Sequence, residues 1–248
     1  MTTNICENWT DWLKKTRFSY MTETQVEQTL QWLILVRNVI LERAEIKPDD
    51  TIIDIGCGTG LLGFGAIELI SDNGLVIFSD KFQDCLDSCK DFAENNSINK
   101  NYKMLLSPCE KIELPDNYVD KALMRSVLVH IIDKQPAINE IFRILKQGGI
   151  FSCFEPIIRT NTHYWELTKS EDISDYEDFK NAEFELMNDS NNPLVNFDDK
   201  TLYQMCQNAG FSKIDNDVQV AKSVYTVTEN MVNNWRSEEH TSELQSRI

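Results

Sequence analysis

Apolar and polar positions along the chain alternate between two repeating patterns, one typical of buried strands and one of amphipathic helices. Short runs rich in β-branched and aromatic residues predict five strands, at about 51–55, 75–79, 102–106, 118–124 and 150–154. Apolar residues at helical spacing lie between them, at about 59–70, 83–95 and 136–145. This order predicts a doubly wound α/β fold, in which a mostly parallel sheet carries helices on both faces.

An N-terminal helical cap, 1–46, is predicted ahead of the first strand. Its first part is rich in aromatic residues. Thr22 and Gln25 have the spacing of a helix-capping box, and the apolar positions that follow predict a long helix to about Arg43. The cap either packs on the sheet or covers a ligand, and in the second case Arg17 and Tyr20 could reach an anion.

The segments that follow are predicted to be a core at 47–156, an insertion at 157–200 and a last part of the core at 201–235. The insertion is polar and loosely patterned. It is too long for an ordinary connection, so it is either a substrate lid or a surface insertion. A helix at 201–209 that Gly210 ends and a strand from Phe211 to about Val220 are expected after it.

The end of the chain, 236–248, resembles the conceptual translation of a sequencing adapter. We therefore expect this tail to be non-native and the natural sequence to continue beyond about Trp235.

Composition narrows the possible partners. The net charge of -16 argues against a nucleic-acid-binding surface, which needs clustered Lys and Arg. No apolar run approaches the roughly 20 residues that span a bilayer, and the first residues lack the pattern of a signal peptide, so no membrane partner is expected. Seven cysteines without a repeating spacing predict reduced thiols in a cytoplasmic protein. Only Cys85 and Cys89 could share a helix face as ligands, and no metal site is predicted.

The segment Asp-Ile-Gly-Cys-Gly-Thr-Gly at 54–60 stands at the end of the first predicted strand. Its glycines let backbone amides close on the polar end of a ligand. A second register, Gly-x-Gly-x-x-Gly at 58–63, fits the dinucleotide fingerprint, with Asp80 following at the usual interval. The loop by itself therefore leaves two cofactor classes open.

Further motifs recur in order along the core. Asp80 follows the second strand, and Pro-Cys-Glu at 108–110 precedes Leu-Pro-Asp-Asn at 114–117. A strand motif at 119–126 is followed by His130, and the last motif is Arg-Ile-Leu-Lys-Gln-Gly-Gly at 143–149. With the glycine motif, these make roughly 46–156 resemble the class I methyltransferases that use S-adenosylmethionine.

The resemblance implies a Rossmann-like fold, S-adenosylmethionine as cofactor and a final antiparallel strand, which we expect this chain to lack. Pro108 stands where many members carry the acid that accepts the adenine amino group, so backbone groups near Cys109 and Glu110, or Ser107, would take that contact. The implied cofactor-binding residues are Asp54, Gly56, Cys57, Gly58, Gly60, Asp80, Lys81, Cys109, Glu110 and Arg125.

The predicted function is methyl transfer to an unidentified acceptor, which the acidic composition favours as a small molecule over nucleic acid. No catalytic residue is identified, although His130 and Glu155 are candidates by position. His163, Tyr164 and Trp165 open the insertion and could contact substrate. Two alternatives remain: an NAD-dependent oxidoreductase, and a non-catalytic protein that binds the cofactor or a partner. Oligomeric state is not predicted.

Overall fold

A parallel sheet is the centre of the computed structural model, which describes residues 5–18, 21–161, 163–167 and 176–220. Its five strands lie in the order β3-β2-β1-β4-β5, and every neighbouring pair is parallel. The predicted doubly wound α/β fold is confirmed. The strands are β1 (Thr51–Ile55), β2 (Leu75–Asp80), β3 (Tyr102–Leu106), β4 (Val119–Arg125) and β5 (Leu145–Phe154).

Helices cover both faces of this sheet. Four pack on one face through a core that includes Leu62, Phe78 and Phe92, and two pack on the other through a core that includes Ile53 and Ile138. On the first face lie α1 (Ile5–Thr16), α2 (Glu23–Arg43), α3 (Leu61–Ile67) and α4 (Gln83–Asn95); on the second lie α5 (Gln135–Ile144) and α8 (Asp199–Ala209).

The start of α2 has the predicted capping box. The Thr22 hydroxyl accepts a hydrogen bond from the Gln25 backbone N–H at 3.3 Å, and the Gln25 side chain accepts one from the Thr22 N–H at 3.0 Å. Two N–H groups that have no partner inside the helix are thereby satisfied. The helix ends at Arg43, as predicted.

Two predicted elements have wrong bounds, in part because their glycines act differently from what was expected. The helix after β1 begins at Leu61 rather than Thr59, since Gly60 precedes it in a left-handed conformation, and it ends at Ile67. Strand β5 begins at Leu145, and the Gly148–Gly149 pair lies inside it. The positive φ of Gly148, 79°, accompanies a register shift opposite Val119 and Lys121, so the pair forms an irregularity in a paired strand.

The predicted strand from Phe211 to about Val220 is not observed. Phe211 and Ile214 pack against the second core, but Asp215, Asn216 and Asp217 then interrupt the apolar pattern. An extended segment needs a neighbouring strand for its backbone groups, and within the described part of the chain this one pairs with none. The final antiparallel strand of the resemblance, like the tail at 236–248, falls outside the described residues.

The insertion contains a 3₁₀ turn (Ile158–Thr160), α6 (Tyr164–Leu167) and α7 (Tyr176–Asn188). A small cluster of its own, Ile158, Met187 and Val195, is buried beneath it. Gly210 ends α8 with a φ of 111°, as predicted. Across the ranges that the structure covers, none of the helices has the length and apolar character to cross a membrane.

Candidate active site

In the loop between β1 and α3, three alternate residues adopt the left-handed backbone conformation. Gly56, Gly58 and Gly60 have φ values of 64°, 51° and 76°, a region that glycine enters without a steric penalty. A side chain at Gly56 would also stand 2.5 Å from a methyl group of Val127. By contrast, a Cβ on Gly58 would meet nothing within 4 Å, so open space lies above the middle of the loop.

Asp54 supports this loop from inside the sheet. Its carboxylate accepts a hydrogen bond from the Gly63 N–H at 2.8 Å, and the residue is only 2% exposed. Burial raises the pKa of the Asp54 carboxyl to about 7, although the bond from Gly63 opposes that rise, and the negative charge of Asp80 adds to it. The predicted site residue therefore lies under the loop, where it fixes the first turn of α3.

Asp80 holds the other side of the loop. One carboxylate oxygen accepts the Gly58 N–H at 3.0 Å, and the other accepts the Phe82 N–H at 3.0 Å. The Cys57 N–H donates to the Ser79 carbonyl at 2.9 Å. The glycine loop is thus docked on the carboxyl end of β2, and the structure brings Asp54 and Asp80 together beneath it.

Cys57 is buried inside the same loop. Its thiol shares a hydrogen bond with Cys89 of α4, and that contact together with burial raises the pKa of Cys57 strongly. The Cys89 thiol also lies 3.4 Å from the Gly58 carbonyl oxygen. Both thiols therefore pack the underside of the loop.

Two exposed side chains follow Asp80. The Lys81 ammonium lies 4.9 Å from the centre of the Phe82 ring, and Phe82 is 56% exposed. Sequence reasoning included Lys81 but missed Phe82. A signal was present, because a large apolar residue directly before the polar start of α4 has no place in a core.

The segment 107–117 forms the next wall. Cys109 is buried, with its sulfur 3.4 Å from the Glu110 carboxylate, and burial raises the pKa of the Cys109 thiol; Glu110 itself is exposed. The Ser107 hydroxyl donates to the Lys111 carbonyl at 2.8 Å and accepts the Glu113 N–H at 3.1 Å. Ser107 thus stabilises the turn.

Arg143 of α5 anchors this wall from below. Its guanidinium donates to the Ile112 and Leu114 carbonyls, each at 2.9 Å. It also pairs with Glu140 at 2.8 Å and Asp116 at 2.6 Å. The arginine predicted as part of the motif before β5 therefore fixes the shape of a loop on the other side of β4.

Glu155, the residue after β5, holds the connection that follows β4. Its carboxylate accepts N–H groups of Val127, Leu128 and Val129 at 2.9, 3.2 and 3.4 Å. Burial raises the pKa of Glu155 to about 7 against these bonds and the charge of Arg125. These three bonds join Glu155 to the 3₁₀ turn at Leu128–His130, which it stabilises.

Arg125 and His130 flank that connection. The Nε atom of Arg125 is buried without a hydrogen-bond partner in the described ranges, and burial lowers the pKa of the guanidinium. Burial also lowers the pKa of the half-buried His130 imidazole, and the charge of Lys81 lowers it further. Both effects favour the neutral imidazole, the form that can accept a proton.

The N-terminal cap reaches the glycine loop through Trp9. The indole N–H of this buried residue donates to the Thr59 carbonyl at 2.8 Å. The pKa of Arg125 is lowered by burial and, to a smaller extent, by the positive charge of Arg17, the residue after α1. The aromatic pattern alone did not single out Trp9. Tyr20, the other predicted anion contact, lies outside the described residues.

The predicted substrate contacts of the insertion form a cluster between α6 and α7. The rings of His163 and Trp165 stack at 5.7 Å, and the Lys180 ammonium lies 4.9 Å from the Trp165 ring. The His163 Nδ1 is 3.5 Å from the Glu183 carboxylate. The side chain of Tyr164 is outside the described part.

Comparison with known proteins identifies relatives of this chain. The profile of a methyltransferase domain family matches residues 46–210. A ubiquinone/menaquinone biosynthesis C-methyltransferase UbiE from Vibrio campbellii is 31% identical over 103 residues, or 42% of this chain and 40% of that protein. The UbiE of Francisella tularensis subsp. novicida is 27% identical over 121 residues, 48% of each. This chain thus spans less than half the length of these curated relatives.

Solved structures give the same fold. An S-adenosylmethionine-dependent methyltransferase from Aquifex aeolicus superposes with a TM-score of 0.51 at 16% identity, covering 70% of this chain and 78% of that one. A candidate methyltransferase from Bacillus halodurans C-125 gives 0.53 at 18% identity, covering 71% and 68%. These structures confirm the predicted fold, and the family profile confirms the resemblance inferred from the sequence.

Proposed function

The chain belongs to the methyltransferase domain family, and we propose that it transfers a methyl group from S-adenosylmethionine to a small-molecule acceptor. The observation that carries the proposal is the glycine loop. Three left-handed glycines leave open space above Gly58, and the carboxylates of Asp54 and Asp80 accept hydrogen bonds from amides of the same loop region. This arrangement fits a ligand with a cationic tail.

The sequence-derived binding residues take distinct roles in this proposal. Asp80 receives the ribose hydroxyls, for which its position at the carboxyl end of β2 is suited. Cys109 and Glu110 offer backbone groups to the adenine, with Lys81 and Phe82 at the rim. The buried Nε of Arg125 has no hydrogen-bond partner among the described residues, and we propose that it binds the carboxylate of the methionine moiety. Gly56, Gly58 and Gly60 give the backbone close approach, and Asp54 keeps the loop in place.

The bound cofactor supplies a methyl group already activated on a sulfonium centre. The protein's tasks are therefore to align the acceptor and to exclude water, which contribute several kcal/mol without an acid or base. Where the acceptor must lose a proton, His130 is the base we propose, because it stands on the connection after β4 and its lowered pKa favours the neutral imidazole.

An acceptor with an apolar part suits the rim of the site. Phe82 and Ile132, which follow β2 and β4, are 56% and 63% exposed. The relatives are named for ubiquinone and menaquinone biosynthesis, and we propose a ring compound of that size. The net charge of -16 disfavours nucleic acid. Seven unpaired cysteines support a cytoplasmic location.

Titration calorimetry with S-adenosylmethionine and with NADH tests the cofactor. We expect binding of the first alone; binding of NADH alone would overturn the proposal. Asp80→Ala should weaken S-adenosylmethionine binding by about 5- to 150-fold, because it leaves ribose hydroxyls without an acceptor. Asp84→Ala, which removes an exposed acid from the first turn of α4, is the matched control and should leave binding unchanged.

Turnover is tested separately, by following S-adenosylhomocysteine while soluble hydroquinones with short apolar side chains are supplied. Product formation supports methyl transfer. Tight cofactor binding without product across the panel would favour a non-catalytic protein that binds the same cofactor.

A further inference from the structure

Lys134 precedes α5 and buries its ammonium group, with only 2% of the residue exposed. The Nζ atom donates to the Ile131 carbonyl at 2.7 Å, to the Pro193 carbonyl at 3.0 Å and to the side-chain oxygen of Asn196. It also lies 4.5 Å from the centre of the buried Phe197 ring. All three hydrogen-bond donors of the ammonium are therefore used, and two of them reach the insertion.

Asn196 joins the same two segments by a hydrogen bond in the opposite direction. Its amide nitrogen donates to the Ile132 carbonyl at 2.9 Å and to the Ser190 carbonyl at 3.3 Å. The side chains of Lys134 and Asn196 thus cross in opposite directions between two segments that are about sixty residues apart in sequence. We call this pair the lysine clasp.

The oxygen atoms that receive the ammonium are neutral, which makes the clasp costly to bury. Burial lowers the pKa of Lys134 to about 8, although the charges of Glu155 and Asp133 oppose that shift. An apolar side chain of similar length would fill the same space without this cost. Unlike an apolar side chain, the ammonium makes three directional hydrogen bonds, and these fix the positions of both segments.

The two segments joined by the clasp stand on the acceptor side. The connection at 127–134 leaves the carboxyl end of β4, is held at its start by Glu155, and carries His130 and the exposed Ile132. The other segment ends the insertion, where Val195 packs on Ile158 and Met187. One side of the clasp is therefore next to the candidate site, and the other belongs to the segment predicted as either a substrate lid or a surface insertion.

We propose that Lys134 is a positioning residue, which fastens the insertion onto the connection after β4 and so fixes the wall that receives the acceptor. Its link to the acceptor rests on the proposed function, whereas its hold on the insertion does not. Binding of the cofactor, at the loop between β1 and α3, should not depend on it.

The test compares Lys134→Met, which keeps the apolar stem, with Lys100→Met, which removes a partly exposed lysine that pairs with Asp72 at 2.9 Å. Hydrogen–deuterium exchange is measured over 190–197 and 131–134, and binding of S-adenosylhomocysteine is measured by calorimetry. We expect at least tenfold faster exchange in both segments for Lys134→Met alone, with the dissociation constant changed by less than twofold. Unchanged exchange would overturn the proposal, as would an equal loosening of the glycine loop.

A second variant keeps the proposal testable if Lys134→Met does not fold. Asn196→Ala removes both bonds to Ile132 and Ser190 but leaves the Lys134 bonds to Ile131 and Pro193, so a smaller increase in exchange over 190–197 is expected. With an acceptor from the hydroquinone panel, either variant should raise KM at least fivefold with a lesser change in kcat. A fall in kcat at unchanged KM would contradict positioning of the acceptor; failure of methyl transfer itself would leave the exchange result to decide the clasp.

Discussion

Replacing Asp54 by Asn should stabilise the protein without its cofactor. The carboxyl group is buried, and its pKa of about 7 compares with an ordinary value of 3.8. An acid whose pKa is raised by folding contributes stability below its unfolded value, and that contribution is lost as the pH rises toward 7. Asn removes the buried charge while its side-chain oxygen can still accept the Gly63 N–H.

The size of the effect follows from the shift. A rise of about 3 pKa units corresponds to about 4 kcal/mol of free energy of unfolding once the group is ionised in both states. The gain in Asp54→Asn is therefore up to about 4 kcal/mol at pH 8 and falls to about 2 kcal/mol at pH 5, where the folded wild type keeps its proton. Glu155, whose pKa is also raised to about 7, leaves part of the pH dependence in both proteins.

Urea unfolding at pH 5 and pH 8 measures this difference. Asp50→Asn is the control, because Asp50 is also buried but accepts the Lys47 N–H at 2.8 Å and lies 4.0 Å from the Lys121 ammonium. Its loss leaves a buried ammonium without its counter-charge, so that variant should be less stable. A variant at Asp54 no more stable than wild type at pH 8, or a gain that does not shrink at pH 5, would refute the reasoning. In cofactor binding the order should be the reverse: Asp54→Asn should bind S-adenosylmethionine more weakly than wild type, since Asn removes an anion near the cationic tail.

Two further substitutions test the packing around the site. Gly63→Ala would place a Cβ 2.2 Å from the buried Phe78 ring. The overpacking, about 1–3 kcal/mol, should exceed the roughly 1 kcal/mol that Ala gains over Gly in a helix, so the variant should be less stable than wild type. The control in urea unfolding is Gly65→Ala, whose Cβ would contact the side chains of Leu41 and Arg37; equal stability of the two variants would contradict the prediction. Arg143→Met should lower the free energy of unfolding by about 2–3 kcal/mol through the lost bonds to segment 107–117, and should weaken S-adenosylmethionine binding in calorimetry. Lys146→Met is the control: it loses one partly exposed pair with Asp120 and should lower the free energy of unfolding by less than about 1 kcal/mol. A comparable loss in both variants would argue against an anchoring role for Arg143.

The local pattern of the sequence determined most elements. Strands β1 and β3 and helix α4 have the predicted bounds, because alternation, helical spacing and turn residues act over a few neighbours. The capping box at Thr22 and the Gly210 end of α8 are set in the same way.

Elements that depend on a distant partner were predicted less well. Strand β5 begins five residues early because β4 lies beside it and accommodates the irregularity at Gly148. The segment after Phe211 has apolar residues but pairs with no strand among the described residues. Pairing is a property of two segments, and no pattern in one of them can supply it.

The candidate site shows the same division. Motif spacing located the loop and Asp80, because a turn off a strand needs glycines at fixed positions. Motif spacing left two registers of the glycine loop open. Gly56 has a positive φ but is not part of the dinucleotide motif at 58–63, so its conformation supports the register that starts at Asp54. Folding alone decided the roles of the remaining groups: Trp9 reaches Thr59, Glu155 is occupied by backbone amides, and Lys134 meets Asn196. These contacts join residues far apart in sequence, and their hydrogen bonds exist only once the sheet has brought its carboxyl ends together.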